Sequence, residues 1–322
     1  MLPWKTGTQP LMLAPMQGLT NDALRACYLE HYRPDVVFTE FVRVHTQSRK
    51  RVARSDLSGI LAHDSAIPLV VQLIGNSMEA LCAAAQQLED AGCRHLNLNL
   101  GCPYGRMTTG ATGGELLREP VKLAGLLKAL RKVIRGSFSV KCRSGYAQES
   151  ELSDLLPVYT DSGLDYLILH PRTVLQKYGG RANHALTAEA ADRLNLPVIA
   201  NGDIASAGEA RRILSDSRVA GLMLGRGALA DPWLFERIRG RRPADIAEAE
   251  RWSELHDFIM QLLPRYLEKF CGERQALMKL KDLLNFIPDE NLQRDLGKLK
   301  RATSVVRFEG LLKTGCKRLS AL

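Results

Sequence analysis

The sequence predicts an α/β fold, a (β/α)8 (TIM) barrel followed by a small C-terminal all-α helical domain. Short apolar runs recur about eight times along the chain, and most gaps between them have helical periodicity. This alternation is typical of a parallel sheet with helical crossovers, and the number of repeats favours closure into a barrel. After Pro243 the apolar runs of strand type stop, which predicts the helical domain.

The predicted strands are short and rich in Val, Ile and Leu, as buried parallel strands are. They cover 11–16, 35–41, 68–74, 95–100, 139–143, 166–170, 197–201 and 221–226. Helical patterns between them cover 20–32, 77–91, 115–135, 149–162, 187–194 and 206–215. The last helix begins at a capping box, Ser206-x-x-Glu209. The charged stretch 42–67 gives no clear prediction.

The C-terminal part of the chain has a different pattern. Residues 247–271, 273–287 and 289–302 have helical periodicity with no strand between them. The Gly-Arg-Arg-Pro segment at 240–243 is the candidate boundary. We therefore predict a catalytic barrel domain over 1–241 and a helical domain over 242–322.

Composition excludes several classes of protein. The 322 residues are 45% hydrophobic, which excludes a disordered chain. The formal charge of +9 suits a polyanionic partner, although a basic enzyme without such a partner has the same balance. The seven cysteines are scattered and lack C-x-x-C spacing, which argues against a disulfide framework or a metal site. With no signal-peptide pattern and no membrane-length apolar run, we expect a cytoplasmic protein that does not bind membranes.

Polar residues stand at nearly every predicted strand exit, where barrels of this kind carry their chemistry. Any one of them alone could be an ordinary polar group at a strand end, but together they predict a site at one mouth of the barrel. They are Met16, Gln17, Gln72, Asn97, Asn99, Cys102, Lys141, Arg143, His170, Asn201, Asp203 and Arg226.

The last two strands end in small residues, Asn201-Gly202-Asp203 and Gly225-Arg226-Gly227. Small residues let backbone N–H groups approach a phosphate, with the positive end of the next helix behind them. Gly225-x-Gly227-x-x-Ala230 also fits a loose dinucleotide fingerprint, but no later strand ending in an acid follows it. The phosphate of a mononucleotide is therefore the better interpretation.

Two further residues are candidates for chemistry. Lys141, near the end of a buried strand, needs an anion or a polarised ring as partner, unless its side chain extends to the rim. Cys102 lies between Gly101 and Pro103, before the glycine-rich stretch 104–117, where a thiol can reach a substrate. The cysteines on helical patterns are predicted to serve packing instead.

These motifs together resemble the tRNA-dihydrouridine synthase family over 11–235. The resemblance lies in Ala-Pro-Met at 14–16, Asn-x-Gly-Cys-Pro at 99–103, Lys-x-Arg at 141–143, His-x-Arg-Thr at 170–173, and the Asn-Gly-Asp and Gly-Arg-Gly segments. The cysteine turn followed by Gly-x-x-Gly-Gly-x-Leu-Leu is the specific part, since the other pieces fit many flavin barrels. The stretch 39–44 resembles the DusC branch, which implies uridine 16 of the D-loop as the target. Tyr104-Gly105-Arg106 departs from the family pattern, in which a serine and a lysine often follow the proline.

The resemblance implies a bound FMN, with NADPH or NADH as the transient electron donor. The residues it assigns to FMN are Ala14, Pro15, Met16, Gln72, Lys141, His170, Asn201, Gly202, Asp203, Gly225 and Arg226. Hydride transfer to uracil C6 with proton donation to C5 by Cys102 is the implied reaction. Asn99 and Arg143 would bind the uracil or its phosphate.

A tRNA partner would also account for the basic C-terminal part. From Arg274 to Arg318 there are 11 Lys or Arg and 5 Asp or Glu, a net charge of 11 − 5 = +6. The candidates for phosphate contacts are Arg274, Lys279, Lys281, Lys298, Lys300 and Arg301, each of which could also belong to a solvated helix face.

We expect a monomer without an obligate protein partner. Two alternatives stay open: an FMN barrel acting on a free pyrimidine or similar metabolite, and an RNA-binding module without chemistry.

Overall fold

The computed structural model of the protein describes residues 1–48, 50–104, 112–288 and 292–319. Gly105 and Arg106, in the loop that departs from the family pattern, lie outside the described residues.

The strands of the described chain form one parallel sheet. They are β1 (Leu11–Leu13), β2 (Val36–Phe38), β3 (Val42–Arg43), β4 (Leu69–Ile74), β5 (His95–Leu100), β6 (Ser137–Gly145), β7 (Tyr166–Thr173), β8 (Val198–Asn201) and β9 (Gly221–Leu224). The sheet order is β2-β1-β9-β8-β7-β6-β5-β4-β3, and an additional β2–β4 pairing closes it. Eight strands thus form a closed barrel, with β3 added beside β4, and the predicted barrel is confirmed.

The helices lie between the strands and after the last one. They are α1 (Asp22–Cys27), α2 (Arg54–Leu61), α3 (Met78–Asp90), α4 (Pro120–Val133), α5 (Leu152–Thr160), α6 (His184–Arg193), α7 (Ala207–Ser215), α8 (Arg226–Ala230), α9 (Leu234–Ile238), α10 (Glu248–Lys269), α11 (Glu273–Leu284), α12 (Gln293–Arg301) and α13 (Val305–Leu319). A π-helical turn, Tyr28–Tyr32, continues α1. Short 3-10 helices, Gly113–Arg118 and Glu149–Glu151, precede α4 and α5.

Each predicted helix is present, and the C-terminal helical segment is confirmed. The capping box of α7 is formed, because the Glu209 N–H donates to Ser206 Oγ (3.1 Å) and the Ser206 N–H donates to Glu209 Oε2 (3.1 Å). Sequence periodicity did not predict β3, α2, α8, α9 or α13. β3 has only two residues and α2 only eight, which is too few for a periodic pattern to stand out.

The inside of the barrel is filled by apolar side chains that lie on the strands or next to them. They are Met12, Ala14, Val36, Phe38, Val70, Tyr166, Ile168, Ile199 and Met223. Leu2 and Trp4 pack against this cluster, and the Trp4 ring meets the Tyr166 ring edge-on at 4.9 Å between centroids. Since Tyr166 is the first residue of β7, the N-terminal segment covers the end of the barrel opposite to the strand exits.

The chain forms two compact units that are interleaved in sequence. One contains Met1–Gln17, Pro34–Asp203 and Ala210–Gly225, and the other contains Gly18–Arg33, Ile204–Glu209 and Arg226–Leu322. The second unit has its own core, in which Trp252 is fully buried and its Nε1 donates to the Leu312 carbonyl at 3.1 Å. The division into 1–241 and 242–322 stays a prediction. Within the described residues, no helix has both the length and the apolar character needed to cross a membrane.

Candidate functional site

On several strands, the polar residue at the exit faces the inside of the barrel, on the same side as the apolar core residue two positions before it. Alternate residues of a strand face the same side, so Val70 of β4 is followed inward by Gln72, and Ile168 of β7 by His170. In the same way Asn201 follows Ile199 on β8, and Gly225 follows Met223 at the end of β9. The barrel interior therefore changes from apolar to polar toward the carboxyl ends of the strands, where the predicted site residues lie.

A ladder of buried amides links three neighbouring strands inside the barrel. Gln72 Nε2 donates to Asn97 Oδ1, Asn97 Nδ2 donates to Ser139 Oγ, and Asn99 Nδ2 donates to Gln72 Oε1, each at 2.8 Å. The Gln72 N–H also donates to Thr39 Oγ1 at 3.0 Å. Because each amide donates from nitrogen and accepts at oxygen, these bonds fix which way Gln72 and Asn99 point.

The backbone around Cys102 is held from three sides. Asn99 Oδ1 accepts from the N–H groups of Gly101 (3.0 Å) and Cys102 (2.9 Å). The Gly114 N–H donates to the Cys102 carbonyl at 3.0 Å, and Arg143 Nε donates to the Gly101 carbonyl at 2.9 Å. The half-buried thiol of Cys102 therefore stands on a fixed backbone at the end of β5.

Two glycines near the end of the glycine-rich stretch allow this arrangement. A Cβ on Gly113, whose φ is +61°, would lie 2.9 Å from the Cys102 Cβ. A Cβ on Gly114 would lie 3.1 Å from the Cys102 carbonyl oxygen and 2.5 Å from Val174 Cγ2. Such distances are shorter than van der Waals contact, so only glycine lets the returning chain pack on Cys102.

Lys141 is a cation for which the described residues provide no anionic partner. In the β5–β6 pairing it lies opposite Asn99, and its Nζ has no hydrogen bond or ion pair within the described residues. Burial and, secondly, the nearby charge of Arg143 lower the pKa of Lys141 to about 8, against a smaller opposite effect of the thiols of Cys142 and Cys102. An anionic or polarised group bound beside Nζ would relieve this cost, so the residue fits the polar edge of a flavin.

Arg143 holds backbone rather than presenting a free guanidinium. It is 2% exposed, and its Nη1 donates to the Thr173 carbonyl at 2.8 Å and to the Lys177 carbonyl. Together with the bond to Gly101, these contacts join the ends of β5 and β7 through one side chain. Burial lowers the pKa of Arg143. Contact of Arg143 with a substrate stays a prediction.

Arg172 is buried and contacts both His170 and Asp203. Its Nη1 donates to Asp203 Oδ1 (3.0 Å) and its Nη2 to Asp203 Oδ2 (2.6 Å), while Nη1 also lies 3.1 Å from His170 Nε2. A guanidinium can only donate, so His170 Nε2 is an acceptor and the proton of the neutral ring is on Nδ1. Sequence reasoning assigned no role to Arg172. The available signal was its position two residues after His170, which places both on the same face of β7.

The predicted phosphate residues lie at the ends of β8 and β9. Gly202 has φ +114°, and a Cβ there would lie 2.7 Å from His170 Cδ2. Asn201 Nδ2 donates to the Met223 carbonyl at 2.8 Å, which ties the two strands together. The carboxylate of Asp203 is bound to Arg172 and to the Ala182 N–H (2.8 Å), so this residue can offer an anion only its backbone N–H.

The residues predicted to contact the flavin ring lie beside this segment. A Cβ on Gly225 would lie 3.5 Å from Met16 Sδ and 3.6 Å from Ala14 Cβ. The Ala14 N–H donates to the Leu224 carbonyl at 2.8 Å, which extends the pairing with β9 one residue past the end of β1. Pro15 lies between Ala14 and Met16, and Arg226 follows Gly225 as the exposed first residue of α8.

Comparison with known proteins decides the family. The model of the dihydrouridine synthase (Dus) family matches residues 12–313. The chain belongs to the dihydrouridine synthase family. A probable tRNA-dihydrouridine synthase of Rhodobacter capsulatus is 30% identical over 78% of this chain and 78% of its own length. A tRNA-dihydrouridine(16) synthase of Haemophilus ducreyi is 32% identical over 80% of this chain and 78% of its own length.

Among solved structures, morphinone reductase is similar, with a TM-score of 0.53 and 15% sequence identity. The similarity covers 75% of this dihydrouridine synthase family chain and 88% of that protein. At this level of identity the similarity concerns the barrel fold alone.

The basic residues predicted to contact tRNA divide into two sets in this dihydrouridine synthase family member. Lys279 donates to the Gly18 carbonyl (3.3 Å) and lies 3.7 Å from Asp282, Lys281 donates to the Ala302 carbonyl, and Lys298 pairs with Asp295 at 3.0 Å. For Arg274, Lys300 and Arg301, the described part of the chain contains no hydrogen-bond or ion-pair partner. The second set is therefore the one available to phosphates.

Proposed function

We propose that this protein reduces a uridine in tRNA to 5,6-dihydrouridine, with FMN as the bound cofactor and NADPH or NADH as the electron donor. The observation that carries the proposal is the occurrence, at the exits of two adjacent strands, of a thiol on a fixed backbone, Cys102, and a cation, Lys141, that has no ion-pair partner among the described residues. Relatives with 30% and 32% identity are called tRNA-dihydrouridine synthases, which supports the same reaction here.

The residues of the mouth fit an FMN. We assign the ring to Ala14, Pro15, Met16, Gln72, Lys141 and His170, and the phosphate to Asn201, Gly202, Asp203, Gly225 and Arg226. Gly202, with φ +114°, packs so closely on His170 that a Cβ would clash with that ring, and Lys141 has a positive charge that the polar edge of a flavin would neutralise. When bound, FMN supplies the hydride that uracil C6 receives.

The second requirement of the reaction is a proton for C5. Saturation of the C5=C6 bond adds one hydride and one proton, and the proton needs an acid within hydrogen-bond reach of C5. Cys102 is the group we assign to this role, because its backbone is fixed by Asn99, Gly114 and Arg143. The fixed backbone gives the thiol a constant distance to a base held in the mouth.

Asn99 and Arg143 orient the uracil in this proposal, Arg143 through the backbone that it holds. The uridine must leave its stack to enter the mouth, as in other enzymes that act on a base within a nucleic acid. We propose uridine 16 of the D-loop as the target, since the relative from Haemophilus ducreyi is called a tRNA-dihydrouridine(16) synthase.

Purified protein and an unmodified tRNA transcript test the proposal. We expect a flavin absorbance spectrum and NADPH-dependent formation of dihydrouridine, with the modified position mapped in the product. The substitution Cys102→Ala should keep the flavin and lower the rate of dihydrouridine formation by about 10²- to 10⁴-fold, the usual contribution of a general acid. Cys82→Ala, on α3, is the matched control and should leave the rate unchanged. A protein without flavin after reconstitution, or full activity of Cys102→Ala, would overturn the respective assignment.

A further inference from the structure

A basic segment between β3 and α2 has no part in the site described above. From residue 41 to residue 55 the sequence contains five Lys or Arg and no Asp or Glu. The basic residues are Arg43, Arg49, Lys50, Arg51 and Arg54, of which Arg49 lies outside the described residues. We call residues 45–54 the basic loop.

The basic loop leaves the barrel at the mouth. β3 pairs in parallel with the end of β4, where Val42 lies opposite Leu73 and Arg43 opposite Ile74. The Val44 N–H continues this pairing with a bond to the Ile74 carbonyl at 3.0 Å. Since β4 also carries Gln72, the loop begins at the same end of the barrel as the amide ladder and Cys102.

Hydrogen bonds of one arginine give the basic loop its shape. Arg51 Nη1 donates to the carbonyls of His45 (3.1 Å) and Thr46 (2.5 Å), and the His45 N–H donates to the Arg51 carbonyl at 2.9 Å. The side chains at the tip, Thr46, Gln47, Ser48 and Lys50, are exposed. The tip therefore presents hydroxyl, amide and ammonium donors from a closed turn.

Two acids lie near the basic loop, since Arg51 pairs with Glu79 at 3.8 Å and Asp56 lies in the first turn of α2, but neither pairs with Lys50 or Arg54. Lys50 and Arg54 are exposed and have no hydrogen bond or ion pair within the described residues. Arg54 is the first residue of α2, and the preceding residue, Ala53, provides no side-chain cap. A cation at the positive end of an uncapped helix is unfavourable by itself, and a bound anion would stabilise both charge and helix.

We propose that the basic loop binds the sugar–phosphate backbone of the tRNA beside the target uridine, through Lys50 and Arg54 with help from the hydroxyls of Thr46 and Ser48. The inference rests on the proposed function, which brings an RNA strand to the mouth. Hydroxyl, amide and basic side chains are the groups that contact phosphates in nucleic-acid complexes. The described tip has no exposed apolar side chain to insert into a lipid bilayer, which favours RNA over an anionic membrane surface.

The double substitution Lys50→Gln/Arg54→Gln tests the proposal, while Arg51 is kept because it maintains the loop. Binding of an unmodified tRNA transcript to the flavin-loaded protein is measured by fluorescence anisotropy at several KCl concentrations. Each lost phosphate contact should reduce the slope of log K against log salt by about 0.7 to 0.9, so the double variant should lose about 1.5. We expect KM for tRNA to rise and kcat at saturating tRNA to stay at the wild-type value.

The control is Arg94→Gln/Arg218→Gln, which removes two exposed cations from segments that lead into β5 and β9, at the opposite end of the barrel. It should leave the salt slope unchanged. Equal slopes for the loop variant and the wild type would overturn the proposal. So would a double substitution that weakens binding to vesicles of phosphatidylserine and phosphatidylcholine but leaves tRNA binding unchanged. Failure of the proposed function appears separately, as absence of dihydrouridine formation by the wild type.

Discussion

Asn99 connects the interior of the barrel to the reactive thiol. Its nitrogen donates to Gln72, and its oxygen accepts from the backbone N–H groups of Gly101 and Cys102. Removal of this amide would leave the N–H groups of Gly101 and Cys102 without their acceptor. The unfolding free energy should fall by roughly 1 to 3 kcal/mol for each N–H group that stays buried and unsatisfied. A residue assigned to substrate binding from sequence thus also positions the proposed acid.

Lys141 has a folded-state pKa of about 8, below its ordinary value of 10.5, because burial disfavours its charge. Between these two pH values the unfolded chain binds more protons than the folded one, so the contribution of Lys141 to the unfolding free energy rises with pH. In flavin-free protein, Lys141→Met should therefore be more stable than wild type at pH 7, and this advantage should shrink as pH rises from about 8 toward 10.5.

Urea unfolding of the flavin-free proteins at pH 7 and at pH 10 measures this difference. Lys128→Met, at an exposed position of α4, serves as the control and should change stability equally at both pH values. An advantage of Lys141→Met that does not depend on pH would contradict the prediction.

At the scale of elements, the turn after β5 and the 3-10 helix Gly113–Arg118 form one positioning unit. The glycine-rich loop leaves β5 at Cys102, and the chain returns at Gly113 and Gly114, which pack directly on that residue. Val174, just after β7, packs on the other side of Gly114. A Cβ added to Gly114 would lie 2.5 Å from Val174 Cγ2. The exits of β5 and β7 together with this 3-10 helix therefore determine the position of the thiol.

Gly114→Ala should displace the Cys102 backbone, since the added methyl group overlaps both Val174 and the Cys102 carbonyl. We expect a stability loss of about 1 to 3 kcal/mol, as for other overpacked sites. The rate of dihydrouridine formation should fall by about 10²-fold, as expected when a catalytic group moves by about 1 Å. Urea unfolding measures the loss of stability, and kcat for tRNA with flavin-loaded protein measures the loss of rate.

The second substitution Val174→Ala removes one of the two clashes and should restore part of the activity of Gly114→Ala. Gly125→Ala on α4 is the matched control, because a Cβ there meets only Met78 Cε at 3.8 Å. Wild-type activity of Gly114→Ala would show that the returning chain does not position the thiol.

At the scale of the whole molecule, the excess of positive charge is distributed over both compact units. In the second unit, the basic side chains of α11 and α12 divide into those that hold their own unit together and those that have no partner in the described chain. The set without partners among the described residues can bind phosphates without competition from an existing contact. Charge counting along the sequence gives the two sets the same weight.

The triple substitution Arg274→Gln/Lys300→Gln/Arg301→Gln should weaken tRNA binding and reduce the salt slope by about 2 to 2.7, at roughly 0.7 to 0.9 for each phosphate contact. Lys281→Gln, in contrast, should lower the unfolding free energy of the protein, because Lys281 donates to the Ala302 carbonyl. Salt-dependent anisotropy and urea unfolding distinguish these results. An unchanged salt slope of the triple variant would contradict the assignment of this surface.

The sequence alone was sufficient for the barrel, the helical C-terminal segment and the residues of the mouth. Periodicity is a short-range property, so strands and helices could be recognised from neighbouring residues. Parallel barrel topology then places all strand exits at one end, which brings Gln72, Lys141, His170 and Asn201 to the same mouth without knowledge of any contact.

The tertiary structure alone decided what each of these side chains touches. Arg172 meets Asp203 across 31 residues, and Arg143 holds the Thr173 carbonyl across 30. Such partners are far apart in the chain and are chosen by the register of neighbouring strands and by the paths of the connecting loops, which no local pattern encodes. For the same physical reason the unpartnered state of Lys141, the glycine contacts on Cys102 and the closed turn of the basic loop became visible only in the folded molecule.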